Sequence, residues 1–261
     1  MGPIHRYADL RPHELTDRLE RFPVAIAPWG ALEWHGPHLP FGLDGLVAEA
    51  FSEQLAAKTG AVLLPTTYLP ITALPHPQSI PFRAEVVRGT WEDLFLGLGA
   101  AEFQLVCLIS GHYAQGHEIV LAEVAEWITR ERGARVLAGT PLALLDDPAL
   151  LDHAGFWETS QLLAIRPDLV DLEALPSGSE LPVAILGQDP RSATTGKGQA
   201  VIERAIGAWS GWIVRLLSED DPQPLYDLYS ERRSSYQSYV EQYYDGSWDK
   251  ALQTWWTEHL G

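Results

Sequence analysis

The sequence predicts an α/β fold, a mostly parallel central sheet flanked by helices. Three observations carry that prediction. Short apolar runs of strand length alternate with longer runs of helical spacing. Two polar segments rich in glycine and histidine, 29–44 and 110–118, each follow directly on a strand-like run, where parallel sheets present ligands. With 261 residues and 46% hydrophobic content, the chain has material for one large core.

Val24 to Pro28 is the first strand candidate, an apolar run stopped by proline. A Gly/Pro/His-rich loop leads from it into a helical stretch, Leu43 to Lys58, closed by Gly60. Ala61 to Leu69 reads as a second strand, followed by the proline-rich stretch Pro70 to Pro81. Trp91 to Phe103 reads as helix despite two glycines. Leu105 to Ile109 is a buried strand by composition, and Cys107 within it is a buried thiol with no neighbour to activate it. A helix from about Gly116 to Arg132 carries apolar residues at Ile119, Leu121, Val124, Trp127 and Ile128. Arg135 to Ala138 is a further short strand, and Gln199 to Leu217 an amphipathic run.

These elements define a domain over 1–220. From residue 221 the composition turns aromatic, and 221–261 is expected to be an extension packed on the domain or at a subunit interface. Tyr229, Tyr236, Tyr239 and Tyr243 are spaced to share one helical face.

A formal net charge of −17 repels phosphate backbones and anionic lipid surfaces, so no nucleic-acid or membrane partner is expected. The first ten residues lack the apolar core of a secretory signal, and no apolar run approaches the ~20 residues that span a bilayer. The expected location is cytoplasmic.

The densest chemistry lies in Trp29-Gly30-Ala31-Leu32-Glu33-Trp34-His35-Gly36-Pro37-His38-Leu39-Pro40 and continues to Asp44. Glu33 and His35 are two apart, so in extended chain their side chains leave the same face. The turn that follows can return Asp44 to that face at a helix start. Two carboxylates and an imidazole are a donor set that Zn²⁺, Mn²⁺ or Fe²⁺ accept, and a carboxylate can bridge two such ions. The alternative is a polar loop in which Glu33 caps backbone amides and His35 is a surface residue. Three further segments accompany it: Ser110-Gly111-His112-Tyr113, then His153-Ala154-Gly155-Phe156-Trp157-Glu158-Thr159-Ser160, and Ala193-Thr194-Thr195-Gly196-Lys197-Gly198.

In this order the four segments resemble the creatininase (creatinine amidohydrolase) family over roughly residues 20 to 217. The resemblance implies a metal-dependent amidohydrolase with two divalent ions per chain, Zn²⁺ or Mn²⁺ with Fe²⁺ also admissible, in a ring-shaped homo-oligomer, often a hexamer. By motif, Glu33, His35, Asp44 and His112 become metal ligands with Asp44 the bridge, and His153 handles protons at the reacting nitrogen. Asp152 either orients His153 or is a solvated neighbour. Tyr113 and Trp157 are candidates for the pocket wall, with core packing the alternative for each. His38, His76 and His117 are left outside the site.

Three departures narrow the reading. Ser110 stands where the family has asparagine, and Ala114 where creatininases proper have a metal-binding glutamate. Glu158 is the expected replacement ligand. Ala149 and Leu150 stand where a tryptophan and an aspartate hold creatinine, so creatinine itself is not the expected substrate. The expected reaction is cleavage of a C–N bond in a small cyclic amide, ureide or formamide by metal-activated water. Two other classes remain open: a catalytically silent oligomeric binding protein on the same fold, and a two-metal phosphoesterase.

Overall fold

The structure, a computed structural model, describes residues 2–145, 147–178, 180–219 and 221–259. Residues 1, 146, 179, 220, 260 and 261, which include the expected boundary and the end of the extension, lie outside the described residues.

Among the described residues, six strands form one sheet: β1 (His5–Arg6), β2 (Val24–Gly30), β3 (Val62–Leu63), β4 (Thr67–Tyr68), β5 (Leu105–Ser110) and β6 (Arg135–Gly139). Their order is β1-β3-β2-β5-β6, with β4 also paired to β2, and every described pairing is parallel. Every residue of β2 and β5 is buried, which is why these runs are apolar throughout rather than alternating. The single strand expected over Ala61 to Leu69 is instead two short ones, β3 and β4. Pro65 lies between them and has no N–H to give to the ladder with β2.

The helices are α1 (Pro12–Arg21), α2 (Leu43–Thr59), α3 (Ala84–Ala100), α4 (Gln115–Arg132), α5 (Phe156–Ile165), α6 (Thr195–Ser218), α7 (Gln223–Ser235), α8 (Gln237–Tyr243) and α9 (Trp248–His259). α2 packs on β2 and β5 and against α5 and α6, whereas α3 packs on α4, and α4 on β6 and α7. After β2 the chain crosses to β3 on one side, and after β5 it crosses to β6 on the other. Right-handed crossovers in opposite directions put α2 and α4 on opposite faces. The crevice at the carboxyl ends of β2 and β5 is therefore the switch point of the sheet, where such folds bind ligands.

α3 starts seven residues before the expected Trp91, because Val87, Trp91, Phe95 and Leu98 form one buried stripe. α1 was not anticipated, although its start is marked: Pro12 opens it, and the Glu14 side chain accepts from the Arg11 N–H at 2.8 Å.

The tyrosines of the extension do not share one helical face, since the helix breaks at Tyr236. Tyr229 is fully buried against the edge strand β6, where its hydroxyl accepts from the Ala138 N–H at 3.2 Å and donates to the Val136 carbonyl. Arg232 donates to the Ala138 carbonyl at 2.8 Å. α7 thus covers the edge of the sheet. Tyr229→Phe is expected to leave these two backbone groups of β6 without a partner and to lower unfolding free energy by about 1–3 kcal/mol, read by urea denaturation.

Candidate metal centre

The site is assembled at the switch point. Glu33 and His35 lie on the loop leaving β2, Asp44 in the first turn of α2, and His112 two residues past β5. Asp44 reaches the strand ends because two glycines let the start of α2 descend onto them. A Cβ on Gly30 would stand 2.3 Å from the Gly45 nitrogen, and one on Gly111 would stand 2.1 Å from the Asp44 carbonyl oxygen. Neither position admits a side chain.

All four residues are buried. His35 Nδ1 lies 3.1 Å from the Glu33 carbonyl oxygen, to which its N–H donates, and His112 Nε2 donates likewise to the Ile71 carbonyl at 3.0 Å. Each backbone bond fixes a tautomer and leaves the other ring nitrogen as a lone pair facing the carboxylates. His35 Nε2 lies 2.9 Å from Asp44 Oδ1. His112 Nδ1 lies 2.9 Å from Glu33 Oε1 and 3.3 Å from Asp44 Oδ2. Lone pairs so placed face acceptors, and His35 Nε2 and Asp44 Oδ2 are buried without a hydrogen-bond partner among the described residues. A positive charge between them resolves this, and no lysine or arginine is paired with these groups among the described residues.

The electrostatics agree. Burial alone would lower His35, but the Asp44 carboxylate, followed by Glu158 and Glu33, outweighs it and carries the imidazole up to about 10. For His112 burial is likewise overcome, by Glu33 and Asp44. Burial pushes Asp44 upward, yet the two imidazoles hold it below the usual carboxylate range. The pocket favours net positive charge among its carboxylates.

Glu158, in the first turn of α5, completes the set. Its Oε2 accepts from the Ala154 N–H at 2.6 Å and lies 3.9 Å from His35 Nε2. Three groups of donor atoms lie within 4.8 Å of one another: Glu33, Asp44 and His112; His35, Asp44 and Glu158; and Glu33, His35 and His153. The first two share Asp44, whose two oxygens face different histidines. A mixed N/O set of this kind fits a divalent transition metal.

His153 stacks on His35 with ring centroids 4.5 Å apart and donates from Nε2 to the Trp34 carbonyl at 3.0 Å. Burial, with the adjacent His35 charge, lowers it to about 4. Asp152 does not orient it. The two carboxylate oxygens of Asp152 accept instead from the N–H groups of Trp157, at 2.6 Å, and Glu158, at 3.1 Å. Asp152 therefore caps the start of α5 and holds Glu158 in place. Trp157 is not on the pocket wall: it packs against the main core, since a helix that turns Glu158 toward the site turns its neighbour about 100° away. Tyr113 and Ala114 do line the pocket.

Two histidines set aside on sequence lie beside this centre. His117 is fully buried, with its ring 3.0 Å from the Ser110 hydroxyl, and its Nδ1 accepts from the Ile71 N–H. It thereby holds the segment whose carbonyl fixes His112. His38 Nε2 meets Thr159 Oγ1 at 3.1 Å, tying the β2 loop to α5. The segment Ala193 to Gly198 carries packing rather than chemistry: Thr194 caps α6, and a Cβ on Gly198 would stand 1.8 Å from the Ser160 carbonyl oxygen.

The family model for creatininase, described as creatinine amidohydrolase, matches residues 8–213. The chain belongs to the creatininase family. It is accordingly an enzyme of the amidohydrolase type. The creatinine amidohydrolase of Pseudomonas putida is 25% identical over 227 residues, spanning 70% of this chain and 85% of that protein. The mycofactocin precursor peptide peptidase of Mycolicibacterium smegmatis is 28% identical over 225 residues, spanning 74% and 85%. A solved creatininase superposes with a TM-score of 0.70 at 23% identity, covering 81% of this chain and 97% of its own. Creatininase structures of the same TM-score include one described as a zinc–zinc type and one as the manganese form.

Proposed function

We propose that this creatininase-family enzyme hydrolyses a C–N amide-type bond in a small cyclic amide, ureide or formamide at a two-metal centre. The observation that carries the proposal is the position of Asp44, shared between two buried donor sets. Glu33, Asp44 and His112 would hold one divalent ion, and His35, Asp44 and Glu158 the other. Zinc and manganese are the favoured ions, as in the related structures. Such a pair supplies Lewis acidity, which lowers the pKa of water toward ~7 and stabilises negative charge on the carbonyl oxygen.

The chain's own residues do the rest. Glu33 is anchored by the Leu74 N–H, which donates to its second oxygen at 2.6 Å and fixes the carboxylate plane. His153 is neutral near pH 7, so it enters the reaction as a proton acceptor. With Nε2–H committed to Trp34, Nδ1 is the atom that takes a proton from water and returns it to the departing nitrogen. The Tyr113 phenol, pushed well above its usual range by burial, stays protonated at the pocket wall, where its hydroxyl is a donor for a bound substrate. The two positions that depart from creatininases proper are also turned away from the cavity: Leu150 is buried in the main core, and neither it nor Ala149 lines the pocket. We place the enzyme in the cytoplasm as a homo-oligomer, the oligomeric state being read by sedimentation of the purified protein.

The reading is tested by assaying zinc- and manganese-loaded protein against cyclic ureides, creatinine, formamides and short peptides. Cleavage of a ureide or formamide is expected; cleavage of peptides alone would move the chain to the peptidase side of the family. Replacing Glu158 by glutamine is expected to empty one ion position and leave the other filled, as read by elemental analysis. If that variant keeps both ions, Glu158 is a structural residue and not the replacement for the ligand absent at Ala114.

A further inference from the structure

The cavity over the candidate centre has a volume of about 310 Å³, and three of its lining residues, Tyr236, Leu252 and Trp255, come from the C-terminal extension. The family match ends at residue 213, and the solved creatininase is covered almost whole while leaving part of this chain unmatched. This wall is therefore an addition to the family core. It is also anchored. On α9, Ala251 and Leu252 are buried and Trp248 and Trp255 half-buried, while Gln253, Thr254, Thr257 and Glu258 are exposed, which is the pattern of a helix lying on a surface by one face. Trp248 rests on the first turn of α4, where a Cβ on Gly116 would stand 3.0 Å from its ring. That turn directly follows His112, Tyr113 and Ala114, so α9 is seated beside the donor residues.

The chemistry of the wall restricts what it can face. Carboxylates and imidazoles form part of the cavity lining. The extension's residues, with Leu74, Leu151 and Leu186, supply apolar and aromatic surface around them. Among the described residues that line the cavity, none is lysine or arginine. A substrate group packed there gains contact with planar side chains but meets no lysine or arginine to pair with a negative charge.

We propose that the C-terminal extension determines specificity, with Trp255 and Leu252 selecting an amide whose scissile group carries a planar apolar substituent without an anionic group. The inference rests on the metal-centre reading above, and zinc-chelating hydroxamates test both. Calorimetric titration of the full-length, zinc-loaded protein is expected to show benzohydroxamate binding about tenfold more tightly than acetohydroxamate, the scale of one aromatic contact plus its buried area. Adding a 4-carboxylate to the aryl probe should cancel that advantage. Trp255→Ala should bring the two simple probes to similar affinity by weakening only the aryl one, and Trp255→Phe should restore most of the preference. Trp256→Ala, on the same helix but outside the cavity lining, should leave it unchanged. Equal affinities for the two simple probes in the wild-type protein overturn the proposal, as does a carboxylated probe that binds as well as its parent. Both comparisons are independent of whether any variant folds. A protein that retains no zinc and binds neither hydroxamate overturns the metal-centre reading and this inference together; one that retains zinc yet shows no aryl preference overturns the inference alone.

Discussion

Asp44→Asn is expected to empty both ion positions at once and to reduce turnover by orders of magnitude. Asp44 is the one residue common to both donor sets at the foot of α2, with one oxygen 2.9 Å from His35 Nε2 and the other 3.3 Å from His112 Nδ1. Asparagine keeps the shape but offers one neutral oxygen and an N–H₂ group, which cannot ligate on both sides. The surrounding imidazoles also lose the carboxylate that raises them, so the variant weakens the attraction for any cation. Metal analysis of the purified variant reads the first effect and initial rates the second. The contrast with Glu158→Gln is the informative part, because a carboxylate on one side only should cost one ion. An Asp44→Asn protein that still bound two ions would show that the shared position is a coincidence of packing.

His153→Ala is expected to lower kcat by about 10²–10⁴-fold, the usual contribution of a positioned acid–base group, while metal content stays unchanged. Its ring stacks on His35 and bonds the Trp34 carbonyl, so it stands next to the donor set without being needed by either Asp44-sharing group. Glutamine at this position can keep the bond to Trp34 but has no proton to exchange, and it should be as slow as alanine. Substrates with better leaving groups should suffer less, since their departure needs less protonation. His153 also belongs to a third group of convergent donors, with Glu33 and His35, which makes the competing outcome definite. If metal is lost together with rate, His153 is a ligand; if neither changes, the proton moves elsewhere.

Much of this architecture is legible in the chain because it rests on local pattern. β2 and β5 are apolar at every position, and the loops that follow them carry Glu33, His35 and His112. What escapes reading depends on where neighbouring elements begin. Asp152 is adjacent to His153 in sequence, yet it bonds the N–H groups of Trp157 and Glu158 because α5 starts just beyond it. Trp157 adjoins a site residue and still faces the core, a consequence of helical geometry that becomes visible only once the helix boundary is known. His117 sits in the first turn of α4 and touches Ser110 and Ile71 through folded contacts that no spacing encodes. The extension is the clearest case. Its tyrosines fit a single helical face on paper, but the helix breaks at Tyr236, sending Tyr229 to the sheet edge and Tyr236 to the cavity.

The account stands or falls on the number of ions this chain holds. Elemental analysis of the wild-type protein, purified without chelator and quantified by amino-acid analysis, should find about two zinc or manganese ions per chain. Exhaustive chelation should remove them together with activity, and readdition should restore both. A chain that retains no transition metal, and whose hydrolytic activity is indifferent to chelation, would contradict the two-metal centre built on Asp44.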